Sequence, residues 1–221
     1  MANIIDDTYF EHGSLFIPNN KDLTVEPVDS PTSITELEFF IKKYERQFLL
    51  DALGVTLYDE LQVALELVDF TTAEQKWQDL VNGTNYTDPN GNVRRWDGLK
   101  GYDKQSVIAF YIFTEYLRND NETYTTTGVV KNDAKNAQVI DPTPKYIKAY
   151  NQFIEAYQGS MSVNTPVVLI NGFGTVGLDY YNNKSVQVSL LRFLSDSNEL
   201  DETAYPDFEF RLYGPQNSFG I

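Results

Sequence analysis

From Ser33 to Gly54 the apolar residues recur every three or four positions: Ile34, Leu37, Ile41, Tyr44 and Phe48, with Phe40 widening the stripe. Only a helix of 3.6 residues per turn brings such a series onto one face, and that face must be buried against other elements. Ser33-Ile-Thr-Glu36 has the form of a capping box, which satisfies free amides at a helix start, and Gly54 suits the residue just past a helix end. A second helix is expected from Thr56 to Val68, with Leu57, Leu61, Ala64, Leu65 and Val68 on its buried side. A capping box at Thr71–Glu74 opens a third, short helix carrying Trp77, Leu80 and Val81, which Gly83 stops. Asp103 is read as the cap of a helix from Val107 to Leu117, apolar nearly all round and therefore the central one. Thr143-Pro144 pairs an N-cap with a first-turn proline and opens a helix with Tyr146, Tyr150, Phe153 and Tyr157 on one stripe. The fold class that follows is mainly α: a compact bundle of four to five helices.

Other segments resist a helical reading. Residues 1–32 hold Pro18, Pro27 and Pro31 and are expected to form an extended N-terminal arm with a strand-like run at Ser14–Ile17. Asp88-Pro-Asn-Gly91 has turn composition, and with Tyr86 and Val93–Trp96 around it a small hairpin or an ordered loop is expected. Residues 119–142 read as a polar loop. Beyond Ser160, Pro166–Ile170 reads as a strand, Val186–Leu194 as strand or short helix, and Asp196–Ile221 as an acidic, aromatic tail of little helical period. The expected division is an arm at 1–32, a helical body at 33–158, and a β- and loop-rich extension with the tail at 159–221.

Composition excludes several functions. The 221 residues carry a net charge of −15, with no Cys and one His. Attraction to phosphate or to an anionic membrane needs clustered bases, so nucleic-acid binding and membrane docking are not expected. Disulfides, thiolate metal sites and thiol catalysis need cysteine. With His12 alone, placed in the arm beside Glu11, a Ser–His–Asp triad is not expected. Met1–Glu11 lacks the basic and apolar regions of a signal peptide, and no stretch approaches a membrane span. The acid is uneven: residues 1–40 have net −7, 194–221 net −5, and the longer middle only −3.

Three motifs invite chemistry. Gly172-Phe-Gly174-Thr-Val-Gly177 matches a dinucleotide fingerprint, but no helical pattern follows it and too little chain remains for the rest of that fold, so it reads as a loop or bulge. Asp88-Pro-Asn90-Gly-Asn92 begins like a calcium loop, yet Val93 and Leu99 stand where that loop needs glycine and an acid, so it reads as a turn. Arg94-Arg95 beside Trp96 reads as an ion-pairing edge rather than a base-stacking site. No catalytic, metal-binding or cofactor-binding residue is assigned. A carboxylate-dependent hydrolase, which needs two facing acids, and a glycan-binding module using exposed aromatics are the alternatives to a structural role. The tail rings Tyr205, Phe208, Phe210, Tyr213 and Phe219 cannot make a core alone. They either clamp the parent body or enter a neighbouring subunit, and with Ile221 they are the candidate contact residues.

The helical pattern also resembles a known family. Ile34…Phe40-Ile41…Tyr44-Glu-Arg…Phe48-Leu…Leu53-Gly54…Leu57-Tyr58…Leu61 resembles the opening helices of head–tail connector proteins of tailed bacteriophages. Trp77…Leu80-Val81…Gly83, Trp96-Asp-Gly98-Leu99, Ser106–Tyr111 with Glu115-Tyr-Leu117, Thr127–Val130 and the closing Asn217–Ile221 are similar to the same group, most nearly its members from Bacteroidetes-infecting, crAss-like phages. The similarity covers roughly residues 33–158 and the extreme C-terminus. It implies a non-enzymatic virion protein, without cofactor, that forms a typically twelvefold ring at the head–tail junction. Portal and other neck or tail proteins would be its partners, and DNA would pass through its lumen unbound. Assembly would take place in the host cytoplasm.

Overall fold

The chain is seen in a computed structural model, which describes residues 2–17, 36–120, 123–125, 128–130, 143–159, 168–170, 173–175 and 186–214. It is mostly helical. The long apolar stripe forms α1 (Glu36–Leu65), whose helical geometry breaks at Gly54 (φ 77°, ψ 175°). The two helices expected on either side of Gly54 are thus the two halves of one kinked element. Leu37, Ile41, Tyr44, Phe48 and Leu53 of the first half, and Leu57, Leu61 and Ala64 of the second, are buried. Val68, expected on the buried side, lies past the end of the helix and is fully exposed.

α2 (Gln75–Asn82) follows. The expected capping box does not cap it: Asp69 instead accepts from the Thr71 amide at 2.9 Å and caps a short 3-10 turn at Phe70–Thr72, so the chain enters α2 at Glu74 without a side-chain cap. Gly83 stops α2 as its position suggested, and a Cβ on the facing Gly98 would come within 2.5 Å of the Gly83 amide, so the backbones cross where neither can carry a side chain. Between them β1 (Thr84–Thr87) and β2 (Val93–Trp96) form an antiparallel hairpin, pairing Thr84 with Trp96 and Thr87 with Val93.

α3 (Val107–Asp120) is the central helix, with every residue from Val107 to Thr114 buried. Its cap is Ser106 rather than Asp103. The Ser106 hydroxyl accepts from the amides of Ile108 and Ala109 and donates to the Leu99 carbonyl at 2.6 Å, while Asp103 sits in the preceding turn at φ 49°. α4 (Thr143–Gln158) and α1 are the main neighbours of α3. Within the expected loop, β3 (Thr123–Thr125) and β4 (Gly128–Val130) pair as a hairpin. β5 (Val168–Ile170) and β6 (Phe173–Thr175) form another, so Phe173-Gly174-Thr175 of the glycine motif is strand rather than loop or bulge. The ambiguous run from Val186 divides. Arg95 of β2 donates to the Val186 carbonyl at 2.7 Å and accepts from Val188 at 3.0 Å, after which Ser189 caps α5 (Leu190–Leu200).

Residues 2–17 correct the expectation of an extended arm. They form 3-10 turns at Asp7–Phe10 and Gly13–Leu15, the second where a strand-like run was expected, and Gly13 at φ 74° redirects the chain between them. Ile4, Ile5, Phe10, Leu15 and Ile17 are buried in the same apolar cluster as α1, α3 and α4. Ser33, Ile34 and Thr35 of the capping box and residues 18–32 lie outside the described residues. Among those described, no helix is long and apolar enough to cross a membrane.

Candidate functional site

The candidate contact residues lie in the segment after α5, and the structure seats four of them on the chain's own body. Tyr205 is 1% exposed. Its hydroxyl donates to the Lys76 carbonyl at 2.6 Å, its ring meets Trp77 and Phe193 edge-on or tilted, and Asn198 brackets its backbone with two hydrogen bonds. The Tyr205 ring is therefore part of the chain's own core. Phe210 stacks on Tyr157 with centroids 4.2 Å apart, and Phe208 meets Phe210 edge-on. Of the two alternatives for these rings, clamping the parent body is the one seen for all four; Phe219 and Ile221 lie outside the described residues.

Tyr213 shows how the segment is held. The side-chain amide of Gln158 acts like a strand edge, accepting from the Tyr213 amide at 2.8 Å and donating to its carbonyl at 2.6 Å. The Tyr213 hydroxyl donates to the Asp51 carboxylate at 2.7 Å, the Arg211 amide donates to the Asp51 carbonyl at 2.8 Å, and Tyr157 donates to that same carbonyl at 3.1 Å. Burial is the first cause that pushes the Tyr213 hydroxyl well above the usual phenol range, and its bond to the Asp51 carboxylate acts in the same direction. The strap crosses α1 at its kink, where a Cβ on Gly54 would stand 3.2 Å from that of Glu209.

Three further carboxylates are buried, and each is committed to an internal partner. Glu45 lies on the inner side of α1, one turn from both Ile41 and Leu49, and accepts from the amides of Ile4 at 2.8 Å and Ile5 at 3.2 Å. Loss of water pushes its carboxyl up to about 7, although the two amides pull the other way. Asp88 accepts from the Asn90 and Asn92 amides and pairs with Arg94 at 2.8 Å. Burial would raise it, but the hydrogen bonds from Asn92 and Arg94 outweigh that and hold it at about 2. Asp196 of α5 accepts from the Tyr86 hydroxyl at 2.8 Å and pairs with Arg192 at 2.7 Å. Together these groups tie the β1–β2 hairpin to α5, helped by the Trp96 ring stacked on Phe193 at 5.5 Å. The calcium-like run is therefore a turn whose acid serves amides and an arginine, and Arg94-Arg95 is an ion-pairing edge, Arg95 pairing with Asp97 at 2.7 Å. A hydrolase would need two of these acids free to face a substrate. Among the described residues no group of three or more His, Asp or Glu could hold a metal.

What remains outward on α1 is a different kind of surface. The first half presents Phe39, 51% exposed, with Lys42, Lys43 and Arg46. The second half presents Val55 and Val63, 65% and 69% exposed, with Leu67 and Val68 beyond, among Asp59, Glu60, Glu66 and Asp69. Sequence reasoning missed this face and also Glu45, Asp51 and Gln158. Signals did exist: Glu45 occupies an apolar register position of the stripe, and Val63 and Leu67 form a pair four residues apart outside it. No family model, curated protein or solved structure matches the chain.

Proposed function

We propose that this chain is a structural protein of a tailed-bacteriophage particle, a ring-forming head–tail connector that joins the portal to the tail and lines the DNA channel. The subunit is read as a helical bundle with a β- and loop-rich C-terminal extension, residues 2–17 being packed on the body. One observation carries the reading: the residues that give the resemblance form a continuous core. Ile41, Tyr44, Phe48 and Leu61 of α1, Trp77 and Leu80 of α2, Trp96, and Val107–Tyr111 of α3 belong to one apolar cluster. A similarity made of residues that pack together is a similarity of fold pattern and not of scattered composition. The charge supports it as well. A chain of net −15 offers DNA little attraction, which suits a channel through which DNA slides.

Electron microscopy of the chain mixed with its portal ring tests the proposal. A ring of subunits seated on the portal is expected, with the portal present because connectors can stay monomeric until docked. A chain that binds neither portal nor any tail component overturns it.

A further inference from the structure

Residues 2–17 are seated on the body by five buried apolar side chains, Ile4, Ile5, Phe10, Leu15 and Ile17. Their polar ties are of two kinds. At the surface, Lys104 donates to the Thr8 carbonyl at 3.2 Å and Lys145 to the Phe16 carbonyl at 3.4 Å, where water competes for both partners. Inside, Glu45 of α1 is 2% exposed and brackets two successive amides, one oxygen accepting from Ile4 at 2.8 Å and the other from Ile5 at 3.2 Å. The one carboxylate that anchors the segment is thus covered by the segment itself.

Nothing nearby neutralises that carboxylate. Among the described residues no base forms a salt bridge with it. Arg46, next along the helix, lies over the Tyr58 ring at 5.8 Å instead. Tyr9 of the segment and Tyr58 of the second half of α1 both sense the Glu45 charge. Burial is the first cause that raises their hydroxyls and Glu45 adds to it, so both stay neutral when Glu45 ionises. Asp6, beside Tyr9, contributes a like charge. While the segment is seated, burial outweighs the two amides and Glu45 titrates near 7. Once the segment lifts, the carboxyl meets water and returns toward 4.5. Protons therefore bind the seated form more tightly than the lifted one.

We propose that residues 2–17 are a clasp on α1 that a proton on Glu45 keeps shut, and that loss of this proton loosens the clasp while α1, α3 and α4 stay packed. The seating is strongest below pH 4.5 and weakens as pH rises through 7. Between pH 5 and pH 8.5 the lifted form gains on the order of 100-fold. Lifting bares Ile4, Ile5, Phe10, Leu15 and Ile17 together with the apolar surface under them, so acid hides that surface and mild alkali offers it. The clasp requires neither a ring nor a portal.

Amide hydrogen exchange on the full-length chain tests this at pH 5, 7 and 8.5, each rate being divided by that of unstructured chain at the same pH. The Ile17 amide, which donates to the Phe10 carbonyl at 3.0 Å, reports on the clasp, and the amides of Phe110–Thr114 in α3 report on the whole body. The clasp is expected to be less protected than α3 by roughly tenfold or more at every pH, which marks an opening smaller than global unfolding. Its protection is expected to fall on the order of 100-fold from pH 5 to pH 8.5. Glu45→Gln should remove the fall and hold protection at its value in acid. Glu45→Leu, which also cannot ionise, serves where the glutamine variant folds poorly. His12→Asn, which removes the chain's one imidazole, should leave the fall in place. A clasp as protected as α3 overturns the inference, because the segment then leaves only when the whole body unfolds. So does protection that ignores pH, a fall that persists in both Glu45 variants, or a fall that vanishes with His12.

Discussion

At Glu45 two opposed effects act on a single carboxyl group. Burial penalises its charge, and the amides of Ile4 and Ile5 favour it; burial wins, and the group titrates near 7 instead of near 4.5. A folded-state pKa raised above the unfolded one gives stability that is complete below pH 4.5 and lost as pH rises through 7. The loss amounts to about 3 kcal/mol at one ionisable site for a shift of this size. Thermal melts between pH 5 and pH 8 should therefore fall with pH in the wild type, and Glu45→Gln should flatten that part of the profile. Asp88, held at about 2, contributes with the opposite sign and only in acid: its stabilisation is lost as pH falls from 3.8 toward 2, outside that window. Tyr205 gives a second prediction. Tyr205→Ala empties a buried ring site and should cost about 3–5 kcal/mol, and Tyr205→Phe, which removes only the hydrogen bond to the Lys76 carbonyl, about 0.5–1.5 kcal/mol, both read by urea denaturation. Neither residue's role was legible in the sequence. Glu45 could be suspected from its place on the apolar stripe, but its partners lie 40 and 41 positions away. Tyr205 could be recognised as a ring in need of burial, yet the seat made by Trp77 and Phe193 exists only in three dimensions.

Elements that obey a period were read well, and those that depend on a single cap or a distant edge were not. α1, α3 and α4 follow from apolar residues three and four apart, and Gly54 and Gly83 mark real breaks. Asp103 is a good cap by composition, but Ser106 stands next to the first turn of α3 and also reaches the Leu99 carbonyl. α5 shows no helical period beyond Leu194, because its apolar residues crowd into Leu190–Leu194 and all but Leu200 of those that follow are polar. β3, β4, β5 and β6 are three residues each, too short to show alternation. The kink makes its own prediction. At φ 77° and ψ 175° the backbone occupies a region that belongs almost wholly to glycine, and a Cβ would also press on Glu209, so Gly54→Ala should cost about 1–3 kcal/mol in chemical denaturation. Gly54→Ala/Glu209→Ala should recover little, because alanine at 209 keeps the Cβ that stands 3.2 Å away. The hairpin–α5 junction offers another test. Arg94→Met removes the closest cation from a buried Asp88, which keeps its amide donors, and should cost about 1–3 kcal/mol, with a smaller loss when Asp88→Asn is added, as a double-mutant cycle would show.

Across the whole molecule, the −15 charge sets what the surface can meet. Filter binding of duplex DNA at low salt should retain none, because no stretch of the described surface gathers enough bases to release counterions in number. The acids that looked like a property of the two ends also gather on the second half of α1 and the turn after it, where Asp59, Glu60, Glu66 and Asp69 are all exposed. That placement could have been anticipated from spacing, but not the fact that the tail rings would turn inward and leave α1 as the exposed apolar surface. Deleting residues from 205 onward should accordingly lower the monomer's own melting temperature, since Tyr205, Phe210 and Tyr213 close the body.

α1 holds residues from both sides of it in the chain: Ile4 and Ile5 through Glu45, and Arg211 and Tyr213 through Asp51. No stretch of chain shorter than the span from Ile4 to Tyr213 contains all of its partners. A ribosome making this chain therefore finishes α1 long before that helix can be fully covered, and the last hydrogen bonds to it close only when residue 213 has left the exit tunnel. Nascent chains broken off earlier keep the Gly54 crossing bare of Glu209, Arg211 and Tyr213.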